Sequence, residues 1–357
     1  LRVELPHPGE ALLHRDPPGT ALGPEVTARP LPDGLWRIDW LLPGRDEPTT
    51  VDELVARIRG TLTAWCGTVP PYELLGSGEY TVHQRLALNW RVGRVFLAGD
   101  AAHLVGALGT RSVEEGLRDV ENLAWKLSLA WHQGTASEQL LDSYQAERRG
   151  AVGARLRATD QVLPLVRTDG VWRTVRRAVL AGTVQRYTEL LTDSHLGRGP
   201  LGASPLYAQS PIMPAGKGTG DEASASAGAP CATPPGAEVE DVQVTGRDGA
   251  TGRLRNRLGR DLLVVLIAPG TGVWESRHWL TAGLMPRLAE AVDALPVRTE
   301  LLVAERYPGT TAHSVLLVRP DGHLVAVMAG CRPAELHSHV DQIRGGSRVA
   351  LEDGVPR

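Results

Sequence analysis

Apolar residues recur along this chain at two periods, and the switches between them mark out its elements. Val51, Leu54, Val55, Ile58, Leu62 and Trp65 stand three or four apart, which predicts a helix over 51–65. Trp36 to Leu42 follows the turn signal Pro32-Asp33-Gly34 and alternates in part, while Thr81 to Leu88 alternates more clearly. Both read as strands with one buried face. Leu1 to Leu5 also alternates and reads as a strand rather than a signal peptide. Arg94 to Ala98 is a short apolar run, predicting a buried strand that stops at Gly99-Asp100. Val113, Leu117, Val120, Ala124, Leu127 and Trp131 then hold a spacing of four and three, a helix for which Gly134 is a fitting C-terminal cap. Ser137 suits the cap of a further helix carrying Leu140, Leu141, Tyr144 and Arg148, and helical pattern continues to about Glu189.

Residues 197–238 lose this periodicity and are rich in Gly, Pro, Ser and Ala, as a linker would be. Beyond them Leu262 to Ala268 reads as a buried strand, 280–294 as a helix and Glu300 to Ala304 as a strand. Val315 to Val318 and Leu324 to Val327 flank the hairpin signal Pro320-Asp321-Gly322, and a last helix covers about Pro333 to Ile343. That order is thioredoxin-like, with two helices available to cover the two faces of a sheet. The chain therefore divides into 1–92, a β-rich portion; 93–196, long helices; 197–238, the linker; and 239–350, a small independent α/β domain.

Charge and composition narrow the function classes. A formal net charge of −3 leaves no electrostatic footprint for nucleic acid. No apolar run approaches the roughly 18 residues that span a bilayer. Cys66, Cys231 and Cys331 are far apart, with neither CxxC nor metal-ligand spacing, which fits a reducing, cytoplasmic location.

The chemistry concentrates at Arg94-Val95-Phe96-Leu97-Ala98-Gly99-Asp100-Ala101-Ala102-His103. A strand that delivers an Asp at its carboxyl end places it where α/β sheets bind ligands. Gly99 allows close approach of a ligand, and the Asp100 carboxylate suits a polyhydroxylated partner. The loop to Gly109 then presents the N-terminus of the next helix, whose free N–H groups favour partial negative charge. On the residues alone, Asp100 as a helix cap and Gly99 as a turn former explain the same segment.

This segment strongly resembles the GD motif of flavoprotein aromatic hydroxylases of the p-hydroxybenzoate hydroxylase type. The resemblance continues through Gly116-Leu117-Arg118-Asp119-Val120-Glu121-Asn122-Leu123-Ala124-Trp125-Lys126-Leu127 and Leu141-Asp142-Ser143-Tyr144-Gln145-Ala146-Glu147-Arg148-Arg149. The C-terminal unit resembles the thioredoxin-like extension of the phenol and polyketide hydroxylase branch, including Val318-Arg319-Pro320-Asp321-Gly322. The implied fold is α/β with mixed α+β character: part of an FAD-binding monooxygenase fold, with a substrate-domain β-sheet, long helices and a thioredoxin-like domain. The implied cofactor is FAD, with NADPH or NADH as co-substrate, and a flavin hydroperoxide hydroxylates an aromatic or polyketide substrate. Asp100 would hydrogen-bond the ribityl chain. Gly109, Thr110, Arg111, Ser112 and Val113 would place backbone N–H groups near the flavin's pyrimidine edge, and Gly99 and Ala107 would also belong to the cofactor site. A homodimer is compatible with the resemblance.

The sequence departs from that family in identifiable places. No GxGxxG follows a strand; Gly216-Lys217-Gly218-Thr219-Gly220 lies in the linker and reads as a decoy. The mid-chain Asp-Gly cofactor motif is missing. Thr110 and Ser112 stand where the family loop usually has glycine, and Glu114 and Glu115 would disfavour negative charge on a reduced flavin nearby. The expectation is a fragment or separately encoded portion of an FAD-dependent hydroxylase, inactive alone. The competing expectation is a non-catalytic flavoprotein remnant that serves in binding or assembly. His103 reads as a polar loop residue or a hydrogen-bonding support behind the site rather than a general base, and Ser276 and His278 as surface residues without a nucleophile elbow. Glu335, His337, His339 and Asp341 read as a solvated helix face rather than a metal site. Cys331, lacking a second cysteine nearby, predicts no disulfide chemistry.

Overall fold

The computed structural model describes residues 1–3, 26–40, 42, 48–105, 112–133, 137–166, 204–214, 229–270 and 283–346. Two compact units divide the chain: Leu1–His83 with Arg157–Ala203, and Gln84–Leu156 with Ser204–Arg357.

In the first unit β1 (Val26–Leu31) pairs antiparallel with β2 (Leu35–Trp40). They are joined by Pro32-Asp33-Gly34, where Asp33 and Gly34 take φ of 62° and 67°. The reading from periodicity found β2 but not β1. Of the expected strand at Leu1 to Leu5, Arg2 makes isolated bridges to Leu35 and Glu73, and Glu4 and Leu5 lie outside the described residues. α1 (Val51–Cys66) begins at a reciprocal cap, Thr50 with Glu53, and ends at Gly67 in the left-handed region. The middle of its apolar stripe is buried and its start is not: Ile58 and Leu62 pack with Val3 and Trp36, partly buried Trp65 meets Trp36 edge-on at 4.9 Å, and Val51 is exposed.

The second unit opens with short strands. Only Gln84–Leu86 of the expected strand Thr81 to Leu88 is extended in a sheet, as β3, paired with β6 (His103–Val105). The apolar run Arg94 to Ala98 is not a buried strand here. Its paired part is Val95–Phe96, β5, which forms a hairpin with Arg91–Val92, β4, and leaves Val95 65% exposed. Among the described residues β4 is its sole sheet partner. Two long helices follow, α2 (Ser112–Gln133) and α3 (Glu138–Val166). Ser137 caps α3 by accepting from the Leu140 N–H at 3.4 Å. Gly134 and the helical pattern beyond Val166 fall outside the described residues. No helix among those described is long and apolar enough to cross a membrane.

Beyond α3 lie β7 (Gln243–Gly246), β8 (Thr251–Arg253), β9 (Leu262–Ile267), α4 (Met285–Asp293), β10 (Thr299–Ala304), β11 (Ser314–Val318), β12 (Leu324–Ala329) and α5 (Pro333–Ile343). The described strands form a six-stranded sheet in the order β12-β11-β9-β10-β7-β8, with β9 and β10 parallel and the other neighbours antiparallel. Every residue of β9 is buried. The two helices do not take opposite faces, contrary to expectation. Met285, Leu288 and Val292 of α4 and Leu336, Val340 and Ile343 of α5 join one core with Val264 and Leu317, together with Trp125 of α2 and Leu140 of α3. The other face, carrying Leu263, Val265 and Leu316, is covered by Val244, Leu254 and Tyr307.

The compact units do not follow the four-part division read from composition. Within the expected linker, Tyr207, Ile212 and Met213 are buried, and the Tyr207 N–H donates to the Gly236 carbonyl at 2.8 Å. Gly236 takes φ of 86°, and a Cβ there would meet the Ala208 nitrogen at 2.5 Å. Glycine marks a close backbone contact at this point, not an open tether.

Candidate functional site

The β4–β5 hairpin leads into a single 3-10 turn, Gly99–Ala101, whose first residue has φ of 59°. The turn sits directly on α2: a Cβ added to Gly116 would lie 3.4 Å from the Gly99 Cα. The Gly99 N–H donates to Asp119 Oδ2 at 2.9 Å, and the Gly99 carbonyl accepts from the Ala102 N–H at 2.8 Å. Both ends of this loop are thus fixed by bonds that do not involve the Asp100 side chain. Asp100 is exposed, and among the described residues its carboxylate has no partner. The turn is preceded by Ala98 without a side-chain cap, so capping does not account for Asp100. A carboxylate acts as an acceptor, so what it offers outward is a seat for donors such as the hydroxyls of a polyol chain.

Asp119 anchors the turn from below. Oδ2 also meets His103 Nε2 at 2.8 Å, and Oδ1 accepts from Arg148 Nε at 2.8 Å, all fully buried. Burial alone would raise this carboxyl, but the His103 hydrogen bond, the Arg148 charge and the Gly99 N–H outweigh it and hold its pKa below the ordinary value. The Asp119 carboxylate therefore accepts, and His103 Nε2 carries the donating proton. His103 Nδ1 and the neighbouring Trp90 Nε1 are buried without partners among the described residues; the two rings stack with centroids 5.3 Å apart. Of the two expectations for His103, the structure shows the hydrogen-bonding support, buried behind the turn, and not the polar loop residue.

α3 braces the hairpin from the side. Tyr144 OH donates to the Leu97 carbonyl at 2.7 Å, Gln145 Oε1 accepts from the Trp90 N–H at 2.7 Å, and Arg149 Nε donates to the Ala87 carbonyl at 3.0 Å. Burial pushes the Tyr144 phenol well up, keeping it a donor.

Charged groups continue inward from the turn. Arg148 Nη2 donates to Glu115 Oε2 at 2.6 Å, Arg155 also pairs with Glu115, and Arg148 Nη1 donates to Tyr207 OH at 3.1 Å. The expected burden of Glu115 on a reduced flavin is therefore offset, because two guanidinium groups hold its charge; Glu114 pairs with Arg118 at 3.2 Å. Farther in, Arg319 makes a two-pronged pair with Glu147 at 2.6 and 2.8 Å and also binds Asp321. Lys126 Nζ reaches Glu147 at 2.8 Å, and Trp125 Nε1 and Asn122 Nδ2 donate to Asp321 at 3.1 and 3.2 Å. Burial brings Lys126 down to about 8 even beside Glu147.

α2 consequently buries its charged face, Glu115, Asp119, Asn122 and Lys126, while Val113, Leu117, Val120 and Trp131 of its apolar stripe are exposed. Of the other residues expected at the site, Ser112 and Val113 open α2, with Val113 75% exposed. Ala107, Gly109, Thr110 and Arg111 lie outside the described residues, as do Gly216 to Gly220, Ser276 and His278. In α5, His339 Nε2 lies 3.7 Å from Glu335 Oε1. Burial lifts the Cys331 thiol above its ordinary pKa, away from the reactive thiolate.

Comparison with known proteins agrees with the motif. Residues 4–159 match the family described as FAD binding domain. Over 99% of its length the chain is 32% identical to the tetracenomycin A2 monooxygenase-dioxygenase of Streptomyces glaucescens, covering 58% of that protein. Over 35% of its length it is 40% identical to the 3-(3-hydroxy-phenyl)propionate/3-hydroxycinnamic acid hydroxylase of Klebsiella pneumoniae, covering 22% of that protein. In structure it resembles the rebeccamycin biosynthetic enzyme RebC with bound 7-carboxy-K252c, at TM-score 0.59 and 22% identity, covering 92% of this chain and 58% of RebC. It also resembles BexE, at TM-score 0.56 and 25% identity, covering 93% and 60%. The chain spans 58–60% of the tetracenomycin enzyme, RebC and BexE, and its match to the hydroxylase covers a smaller part. The GD motif lies within the residues that match the FAD binding domain, and the chain is similar in sequence to these bacterial monooxygenases and hydroxylases.

Proposed function

We propose that this chain forms the ribityl-facing part of the flavin site of an FAD-dependent monooxygenase that hydroxylates an aromatic or polyketide substrate. The observation that carries the reading is Asp100, an exposed carboxylate without a partner among the described residues, on a turn whose backbone is fixed by Asp119. Asp100 accepts from the ribityl hydroxyls, and the N–H groups of the Gly109 to Val113 stretch serve the pyrimidine edge of the ring. FAD supplies the redox chemistry, taking electrons from NADPH or NADH and activating O2 for ring hydroxylation. The chain's own contribution is to hold the cofactor in place. Flavin titration with NADPH- and NADH-oxidation assays on phenolic and polyketide substrates tests the reading.

Residues 239–350 are proposed as a thioredoxin-like part without redox activity. The order β12-β11-β9-β10, with parallel β9 and β10, supports the first half of that statement. Cys331, with a thiol pushed up by burial and no second cysteine in this stretch, supports the second. Turnover in an insulin-reduction assay would overturn it. A cytoplasmic location and a homodimer belong to the same proposal, testable by fractionation and light scattering.

A second reading, a flavoprotein relative that binds or assembles without catalysing, is favoured by Thr110 and Ser112 and by the lack of a strand-GxGxxG-helix unit in these residues. FAD binding without NAD(P)H oxidation would select it.

A further inference from the structure

Resting on the assignment of Gly99-Asp100 to the flavin, we propose that Tyr207 is a positioning residue for that turn, through which the C-terminal sheet holds the cofactor loop. Tyr207 belongs to the Gly- and Pro-rich stretch whose composition signals only a tether, yet it is 5% exposed. Its ring packs on His323 with centroids 4.4 Å apart, and the Arg319 guanidinium lies 5.5 Å from its centre. Both residues flank the β11–β12 turn at Pro320-Asp321-Gly322. The backbone of Tyr207 is tied to Gly236, whose own N–H donates to the Leu324 carbonyl at 2.7 Å. Ring and backbone are thus both fixed to the sheet.

The hydroxyl points the other way. It accepts from Arg148 Nη1 at 3.1 Å, Arg148 Nε donates to Asp119 Oδ1 at 2.8 Å, and Asp119 Oδ2 holds the Gly99 N–H at 2.9 Å. Three hydrogen bonds therefore connect a side chain packed on the sheet to the amide next to Asp100. Arg148 is fully buried, so each of its donors needs an acceptor, and its planar fork cannot satisfy Glu115, Asp119 and Tyr207 in any other pose without losing one. Glu115 and Asp119 both come from α2. Tyr207 is the contact that refers the fork to the sheet. Removing its hydroxyl leaves a buried N–H without an acceptor and frees the guanidinium to tilt, and Asp119 moves with it.

The test is amide exchange followed by NMR on the 357-residue protein. Tyr207→Phe keeps the ring and its packing on His323 and deletes only the hydroxyl. The expected result is Gly99 amide exchange faster by about tenfold, the scale of one hydrogen bond, with Val264 and Leu316 in the sheet core unchanged. Ser210→Ala, which removes a hydroxyl of the same segment bonded to Glu147 instead, leaves Gly99 unchanged. FAD-induced shifts at Gly99 to Ala101 weaken in Tyr207→Phe and not in Ser210→Ala. An unaltered Gly99 amide in Tyr207→Phe, or an equal response to Ser210→Ala, overturns the proposal. Faster Gly99 exchange combined with no FAD response in the unmodified protein overturns the flavin assignment instead, and leaves the link between sheet and loop standing.

Discussion

Glu147 and Arg319 stand 172 residues apart in sequence, and both oxygens of the one meet both terminal nitrogens of the other in a fully buried pair. The pair joins α3 to the end of β11 inside the second compact unit. Its worth lies less in net attraction than in the cost of breaking it, since desolvation offsets much of the Coulomb gain. Glu147→Gln leaves Arg319 and Lys126 buried with one carboxylate fewer. The expected loss is about 3–5 kcal/mol in urea unfolding; a loss below about 1 kcal/mol would show that water or rearrangement already screens the pair.

Acid should loosen the same region. Burial alone would raise Asp119, Glu147 and Asp321. Arg319 outweighs it for the last two, and His103 with Arg148 does so for Asp119, so all three sit below their ordinary values. A depressed folded-state pKa contributes stability that is fully present above the unfolded value, about 4, and is lost as pH falls through the folded one. The contribution of these three carboxylates to the urea midpoint should stay level from neutral pH to about 5 and drop below about 4. A midpoint that falls between pH 7 and 5 would assign the transition to other groups.

The same contacts bear on whether the C-terminal part stands alone. A fragment beginning at 239 would keep Arg319 and Asp321 but lose Glu147, Asn122 and Trp125, and would uncover the sheet face that packs on Trp125, Leu140 and Ile212. Such a fragment should be less stable than the same residues in the whole chain, with earlier thermal unfolding and greater dye binding. Equal melting temperatures would restore the reading of 239–350 as an independent domain.

Much of this was legible in the chain. The spacing in α1 gave its helical period and two of its buried residues, Ile58 and Leu62, but not Thr61, and Pro320-Asp321-Gly322 marked its hairpin because turn chemistry is local. α2 was found for a reason that did not describe its packing: the stripe Val113, Leu117, Val120 and Trp131 set the helical period but is exposed. Glu115, Asp119, Asn122 and Lys126 repeat at the same period and are buried, together with Leu123 and Trp125. That pattern was available, but a charged stripe reads as a solvated face unless its partners are known, and Arg148 and Arg319 come from elsewhere in the chain. Tyr207 was hidden for the same reason, since Gly- and Pro-rich composition reports missing periodicity and not missing contacts. The GD motif was the reverse case, a short local signature whose turn, glycine conformation and outward Asp100 all sit within a few residues.

The central claim is that Asp100 is present for the flavin. The sequence shows no GxGxxG in the strand-turn-helix pattern that holds a pyrophosphate, so the protein should lose FAD during purification and bind added FAD only weakly, and millimolar titration is the fitting regime. Asp100 is exposed and without a partner among the described residues, so Asp100→Ala should leave stability within about 0.5 kcal/mol. Its loss should lower FAD affinity by about 1–3 kcal/mol, the scale of a charge-assisted hydrogen bond. The measurement is an NMR titration with FAD of the protein and of Asp100→Ala, read at the amides of Gly99, Asp100 or its replacement, and Ala101. The account predicts saturable shifts at these amides in the protein and an affinity at least about fivefold weaker in the variant. Equal titration curves for the two, or an Asp100→Ala protein that unfolds while binding FAD normally, would contradict it.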